Sequence, residues 1–305
     1  MTGSQATDWL PQHDEDLPRF WAALGLPGVI DVHVHAMPDR LQDAVWAYFD
    51  AAGPLLGTDW PIRYRHDLAE RTRRLRAIGV LAWPTLLYPH KPGMAASLNA
   101  WAAQFARDTP DVIQTGTFFA EPSAATYVAE AIAGGARVFK AHVQVGGYDP
   151  RDETLAAVWG LLTEAGIPVI THCGNGPAPG AFTGPEIWAQ VMARHPRLPV
   201  VIAHLGGPDF EAFFDLADRY PTMRLDTTTV FAAFGDRIWP FPSQLRPRLR
   251  DLGDRILYGS DFPAIPYPYA EHIAAIAGLG LGEDWLRAVF HHNAAALWPD
   301  LLPEH

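Results

Sequence analysis

A chain of 305 residues, 49% of them hydrophobic, carries enough apolar material for a sizeable buried core. Its net charge of −11, from 23 basic and 34 acidic residues, argues against nucleic acid or an anionic membrane surface as the main partner and leaves a small molecule as the expected one. The single cysteine, Cys173, excludes an internal disulfide, and no apolar run approaches the ~20 residues needed to cross a bilayer.

The first twenty residues are polar and acidic, without the basic and apolar regions of a secretion signal, so a cytoplasmic location is expected. β-branched runs then predict strands over 29–35, 79–87, 112–120, 138–143, 168–173, 200–205, 223–227 and 256–261. Helical periodicity alternates with them over 68–78, 94–107, 124–133, 154–165, 186–194, 210–219, 244–252 and 269–279, with a further helix over 283–298. Gly79 and Gly166 stand where helices end and a left-handed residue is wanted. A βα unit repeated eight times, with no polar linker to divide it, predicts one α/β domain over residues 1–305, a (β/α)8 TIM barrel. The stretch 38–65 breaks the repeat. It reads as an insertion after the first strand, with a helix over 41–51 and a Gly53-Pro54 break, in the position of a lid or substrate wall.

Four of the predicted strands end on metal-binding types of residue. His33 and His35 are two apart on an extended segment, so their imidazoles project to one side and can close on one cation. His172, His204 and Asp261 stand at the C-terminal ends of later strands, where parallel α/β folds place their active sites. Imidazoles and a carboxylate are the usual donors for a catalytic zinc ion with an open position for water.

The runs Ile30-Asp31-Val32-His33-Val34-His35, Leu257-Tyr258-Gly259-Ser260-Asp261-Phe262-Pro263 and His292-Asn293-Ala294-Ala295-Ala296-Leu297 resemble the amidohydrolase superfamily. The segment Tyr220-Pro221-Thr222-Met223-Arg224-Leu225-Asp226-Thr227 is similar to its amidohydrolase-related branch, which includes aminocarboxymuconate-semialdehyde decarboxylase. The resemblance spans nearly the whole chain. It implies a metal-dependent barrel enzyme with His33, His35, His172 and Asp261 as ligands of one divalent ion, zinc in the first place and manganese as the alternative. His204 would then stand beside the metal as a general acid/base or an anchor for the substrate's polarised oxygen, and Asp261 would orient or deprotonate the water. A homodimer is expected from the resemblance alone.

Lys140 and His142 share one face of the fourth strand and are expected to contact substrate, with Lys140 a cation for a carboxylate or else a structural charge paired in the barrel. Some members of the superfamily carry a carbamylated lysine at this strand end that bridges two metals, and that reading is the alternative for Lys140. His66, His195 and His272 read as surface or capping residues, His291 and His292 as packing or hydrogen-bonding ones, and His90 as a candidate substrate contact. Cys173 lacks a base and an oxyanion site around it and reads as a small buried residue. The run from Cys173 to Gly180 fits neither phosphate-loop spacing and reads as a flexible rim. Trp60, Trp188 and Trp239 are candidates for an apolar pocket, and Arg63, Arg65 and Lys91 for a cationic wall.

Two reactions compete. Hydrolysis of an ester, lactone or amide by a metal-activated water is the first. Nonoxidative decarboxylation of a small unsaturated or aromatic acid is the second, and it is weakened because decarboxylases of this branch usually carry His-Pro-Trp where this chain has His172-Cys173-Gly174. A barrel that binds a small molecule without catalysis is a third reading, disfavoured because all five key positions are filled.

Overall fold

The computed structural model describes residues 9–300. In chain order the strands are β1 (Val29–Ile30), β2 (Val80–Pro84), β3 (Val112–Ile113), β4 (Thr115–Thr117), β5 (Val138–His142), β6 (Val169–His172), β7 (Val200–Ile202), β8 (Met223–Asp226) and β9 (Ile256–Leu257). The helices are α1 (Leu17–Ala23), α2 (Asp39–Ala51), α3 (Gly53–Leu56), α4 (Leu68–Ala77), α5 (Ala95–Asp108), α6 (Ala124–Ala133), α7 (Val143–Gly146), α8 (Ala156–Ala165), α9 (Pro185–Arg194), α10 (Phe210–Arg219), α11 (Ala233–Ile238), α12 (Arg246–Asp251), α13 (Tyr269–Ala277), α14 (Glu283–Arg287) and α15 (Asn293–Ala295). The βα alternation read from the sequence is present throughout. The predicted strand 112–120 is split at Gln114, whose carbonyl turns to the N–H of Arg137 at 2.9 Å. The predicted last helix is interrupted by a π-helical turn over Ala288–His292.

The described residues fall into two compact units, one comprising positions up to 35, 39–83 and from 227 onward, the other 36–38 and 84–226.

In the first unit, β1 runs parallel to β2 with Val29 opposite Val80 and Ile30 opposite Ala82. Its core gathers Phe20, Trp21 and Phe290 in edge-on ring contacts, with the Trp21 indole N–H donating to the Ile78 carbonyl at 2.8 Å. Helix α4 begins at an N-cap, Asp67, whose carboxylate accepts the N–H of Glu70, and it ends before Gly79 in the left-handed region.

The stretch 38–65 holds two helices, α2 and α3, rather than the single predicted one. Pro54 starts α3, where a missing N–H costs nothing. Helix α2 is fastened to α4 by buried Arg71, which donates to Gln42 and lies 5.7 Å from the Trp46 ring, while Arg65 pairs with Asp50. Burial pulls the Arg71 guanidinium down to about 10, with Asp39 and Asp67 opposing the shift. The far end of the insertion is stitched to the segment after β9. Trp60 donates to the Ala264 carbonyl at 2.7 Å, Arg63 N–H to Ile265 at 2.9 Å, and the Tyr64 ring packs 4.8 Å from Phe262.

In the second unit, β4 to β8 form a parallel sheet in sequential order, each strand buried on both faces as a parallel sheet requires. The register sets Lys140 opposite Ile170 and His142 opposite His172. Thr117 Oγ1 donates to the Lys140 carbonyl, and Asn99 on α5 brackets Thr117 by accepting its N–H at 2.7 Å and donating to its carbonyl. Trp188 on α9 meets Trp159 on α8 at 6.1 Å, edge on, and is fully buried, so it is a packing residue and not the pocket residue the sequence suggested. Gly166 ends α8 with φ of 65°, as expected.

Candidate metal centre

Past β1 the chain bends at Val32 and bridges to Phe262 at Val34. The Asp31 N–H bonds to Ala82, the Val32 N–H to Tyr258 and the His35 N–H to Phe262. His33 and His35 flank that bridge, and their rings lie 5.2 Å apart. The turn after β9 completes the group. Asp261 Oδ1 is 3.0 Å from His35 Nε2 and 3.7 Å from His33 Nε2. Donor atoms of His33, His35 and Asp261 all lie within 4.8 Å of one another, and among the described residues no other group of three His, Cys, Asp or Glu meets that spacing. Two imidazole nitrogens and a carboxylate oxygen at this spacing fit a divalent ion of the zinc or manganese type.

Asp261 does not sit on a strand. The predicted strand 256–261 stops at Leu257, and Asp261 adopts the left-handed region with φ of 71°. That conformation costs a non-glycine residue roughly 1–3 kcal/mol and persists where surrounding bonds over-determine it. Here its N–H donates to the His33 carbonyl at 2.8 Å and its carbonyl accepts from Ala264 at 2.9 Å.

Beneath the cluster lies Asp31, fully buried. Its Oδ1 accepts the N–H groups of His33 and Ser260, each at 3.0 Å, and its Oδ2 accepts the Tyr269 hydroxyl at 2.8 Å. Burial pushes the Asp31 carboxyl up to about 7, against these bonds and the Ser260 hydroxyl, which favour its charged form. Sequence reading assigned Asp31 no role; the available signal was an acid inside an apolar, β-branched run.

The second unit holds the remaining expected site residues. His142 and His172 face each other across β5 and β6, and their rings stack at 4.4 Å; His172 and His204 lie 4.6 Å apart. Tyr88 packs 4.6 Å from His142. His142 Nδ1 accepts the N–H of Val145 at 3.3 Å and so caps α7, which leaves the ring proton on Nε2. His172 Nε2 is 2.8 Å from the Gly176 carbonyl, a contact that requires it to donate and leaves Nδ1 with the lone pair a ligand needs. Lys140 is fully buried one turn of the pleat below His142.

His204 also lies beyond its strand. Strand β7 ends at Ile202, and His204 and Leu205 both have positive φ, 56° and 51°. The buried Asp226, at the end of β8, fixes this turn by accepting the His204 N–H at 3.0 Å. Asp226, like Asp31, is a buried acid that accepts a backbone N–H, a role with no pattern in the sequence.

His272 is buried, its Nε2 within 3.1 Å of the Thr227 and Val230 carbonyls, so it is an internal hydrogen-bonding residue and not a surface one. His195 is the C-cap of α9, and His291 Nδ1 reaches the Gly28 carbonyl at 3.2 Å. Cys173 is buried, and burial pushes its thiol well above the usual range. The run after it is tied down by side chains, with Asn175 donating to Asp209 and accepting from Thr183. Trp60 is buried in the first unit, 4.7 Å from Phe234, which in turn lies 6.5 Å from Tyr267.

No helix among the described residues is long and apolar enough to cross a membrane. No curated protein matches the chain in sequence. Among solved structures, an uncharacterized TIM-barrel protein from Bordetella bronchiseptica is 21% identical with a TM-score of 0.72, covering 90% of this chain and 99% of its own. A probable 2-pyrone-4,6-dicarboxylic acid hydrolase from Acinetobacter baumannii, with citric acid bound, is 13% identical with a TM-score of 0.61, covering 89% and 99%. A 5-carboxyvanillate decarboxylase from Novosphingobium aromaticivorans, with bound manganese, is 13% identical with a TM-score of 0.60, covering 90% and 98%. These likenesses establish the (β/α)8 barrel fold, with hydrolase and decarboxylase among its bearers. The sequence model of the amidohydrolase family matches residues 30–299, from the strand that leads to His33 to beyond the last helix, and the chain belongs to that family.

Proposed function

We propose that the chain is a metal-dependent hydrolase acting on an ester, lactone or amide bond of a small organic substrate. The observation that carries this reading is the convergence of His33, His35 and Asp261 donor atoms within 4.8 Å. His172 is proposed as a further ligand on the family resemblance. A bound divalent ion, zinc or manganese, would bring the pKa of a water to about 7 and polarise the substrate carbonyl.

The chain's own residues supply the rest. Asp261 accepts or orients the proton of the attacking water. His204, held by Asp226, passes a proton to the leaving group near neutral pH. Lys140 and His142 are proposed to hold the substrate's polar groups. A small-molecule substrate is the only partner class proposed besides a second copy of the chain.

The second reading is nonoxidative decarboxylation of a small unsaturated or aromatic acid. It is supported by the decarboxylase among the fold's bearers.

Elemental analysis of the purified protein tests the first step. About one zinc or manganese per chain supports the proposal, and no metal after reconstitution overturns it. Screening the loaded protein against lactone and ester panels, with carbon dioxide release measured from aromatic acids in parallel, separates the two reactions.

A further inference from the structure

The ligands of the metal cluster come from two stretches far apart in the chain, the end of the first barrel strand and the turn after β9. Neither stretch is regular where it matters: β1 is assigned only to Ile30, and Asp261 is in a left-handed conformation. Backbone bonds from Val32 to Tyr258, from Asp261 to His33 and from His35 to Phe262 tie the two stretches together, and a buried side chain adds to them.

One side chain touches both. Asp31 Oδ1 accepts the N–H of His33, itself a candidate ligand, and the N–H of Ser260, the residue before Asp261. Ser260 adds a second tie, because its hydroxyl accepts the N–H of Phe262 at 2.9 Å and so braces the far side of Asp261. Bonds from N–H groups to a carboxylate are about twice as strong as neutral ones, and in a fully buried site they are not exchanged for water.

The carboxylate is itself held from the other side. The Tyr269 hydroxyl donates to Oδ2 at 2.8 Å. Tyr269 is the first residue of α13, and its backbone N–H donates to the Tyr64 hydroxyl oxygen at 2.8 Å. Tyr64 donates its proton to Asp14 Oδ2, and Asp14 Oδ1 accepts the N–H of Ala270 at 2.9 Å. Each polar group in this run thus has a partner, from the short 3-10 turn at Asp14–Asp16 to the residues flanking the ligands.

We propose that Asp31 is a positioning residue of the metal centre, its carboxylate setting the spacing between the His33–His35 segment and Asp261, with Tyr269, Tyr64 and Asp14 holding that carboxylate in place. The inference rests on reading His33, His35 and Asp261 as metal ligands. Asp31 acts through the backbone N–H groups of His33 and Ser260, as a positioning residue and not as a catalytic one.

Cobalt(II) substitution is the test, because its visible absorption reports ligand geometry and its affinity can be measured without a known substrate. Partners of this kind around a metal site typically account for about 10- to 100-fold in affinity. Asp31→Ala is expected to weaken cobalt binding by that range and to shift the visible band. Asp31→Asn, whose amide oxygen can still accept both N–H groups, is expected to recover most of the affinity. Tyr269→Phe, which frees only Oδ2, is expected to give a smaller loss in the same direction, and it decides the matter if Asp31→Ala does not fold. A folded Asp31→Ala protein with wild-type affinity and spectrum overturns the inference, as does a Tyr269→Phe protein identical to wild type where Asp31→Ala cannot be obtained. His33→Ala serves as the separate control: cobalt binding unchanged in that variant would sink the metal reading itself, and the inference with it.

Discussion

The backbone N–H of Asp261 is bonded to the carbonyl of His33 at 2.8 Å, while its carboxylate lies 3.7 Å from the ring of the same histidine. Two proposed ligands are therefore coupled twice, through main chain and through side chain. A displacement of one carries the other with it.

Asp261→Asn is expected to fold normally and yet lose metal. Asparagine tolerates the left-handed region as aspartate does, so the turn survives while the anionic donor is gone. Metal content should fall with activity in Asp261→Asn and in His33→Ala alike, by elemental analysis of protein dialysed against a weak chelator. Retention of a full metal equivalent in either variant would remove that residue from the ligand set.

His204→Asn should separate binding from turnover. The variant is expected to keep its metal and to lose activity by about 10²–10⁴-fold, the usual weight of a positioned acid/base. Its backbone conformation, φ of 56°, is again one that asparagine accepts. Turnover equal to wild type would exclude the proton-transfer role.

Lys140→Met reports the number of metals. With a single ion held by His33, His35 and Asp261, the count per chain stays unchanged, and substrate binding alone suffers. A drop from two ions to one would make Lys140 a bridging carbamate.

Cys173 should be inert to thiol reagents in the native protein at pH 8 and react fully after denaturation. Its burial raises the thiol's pKa, which removes both access and thiolate. Rapid labelling of the folded chain would contradict this.

Acid should weaken the fold partly through His291. Burial, with His292 beside it, holds the His291 imidazole below its ordinary value, while the Gly28 carbonyl opposes that shift. The depressed value means that its contribution is present above about pH 6.5, the unfolded value, and is lost as pH falls through the folded one. Denaturant midpoints measured from pH 7 to pH 5 should decline less steeply in His291→Gln than in wild type.

Much of this was legible in the sequence because periodicity and burial are local signals. The βα order and the His33–His35 pair came from residue spacing, and helix ends at Gly79 and Gly166 from the conformational freedom of glycine. Strand ends were misjudged at the two places that matter most. The β-branched runs before His204 and Asp261 read as continuing strands, whereas both residues occupy left-handed turns stabilised by partners distant in sequence, Asp226 and His33. Asp31 and Asp226 escaped notice because their role is to accept backbone N–H groups, which leaves no pattern in a sequence beyond an acid in an apolar run. Trp188 and His272 were placed near the surface or a pocket because a helix position alone does not tell which neighbour it meets.

The bonds that Asp31 makes to Ser260 and Tyr269 span 229 and 238 residues of chain. A growing polypeptide released from its N-terminus therefore presents His33 and His35 to the solvent long before their anchoring partners exist. Closing so large a loop is slow, though it adds little thermodynamic cost over a loop of half the length. The three-donor cluster is consequently a late assembly: a nascent chain stopped short of residue 256 lacks Asp261 and the Ser260 and Tyr269 groups that hold Asp31.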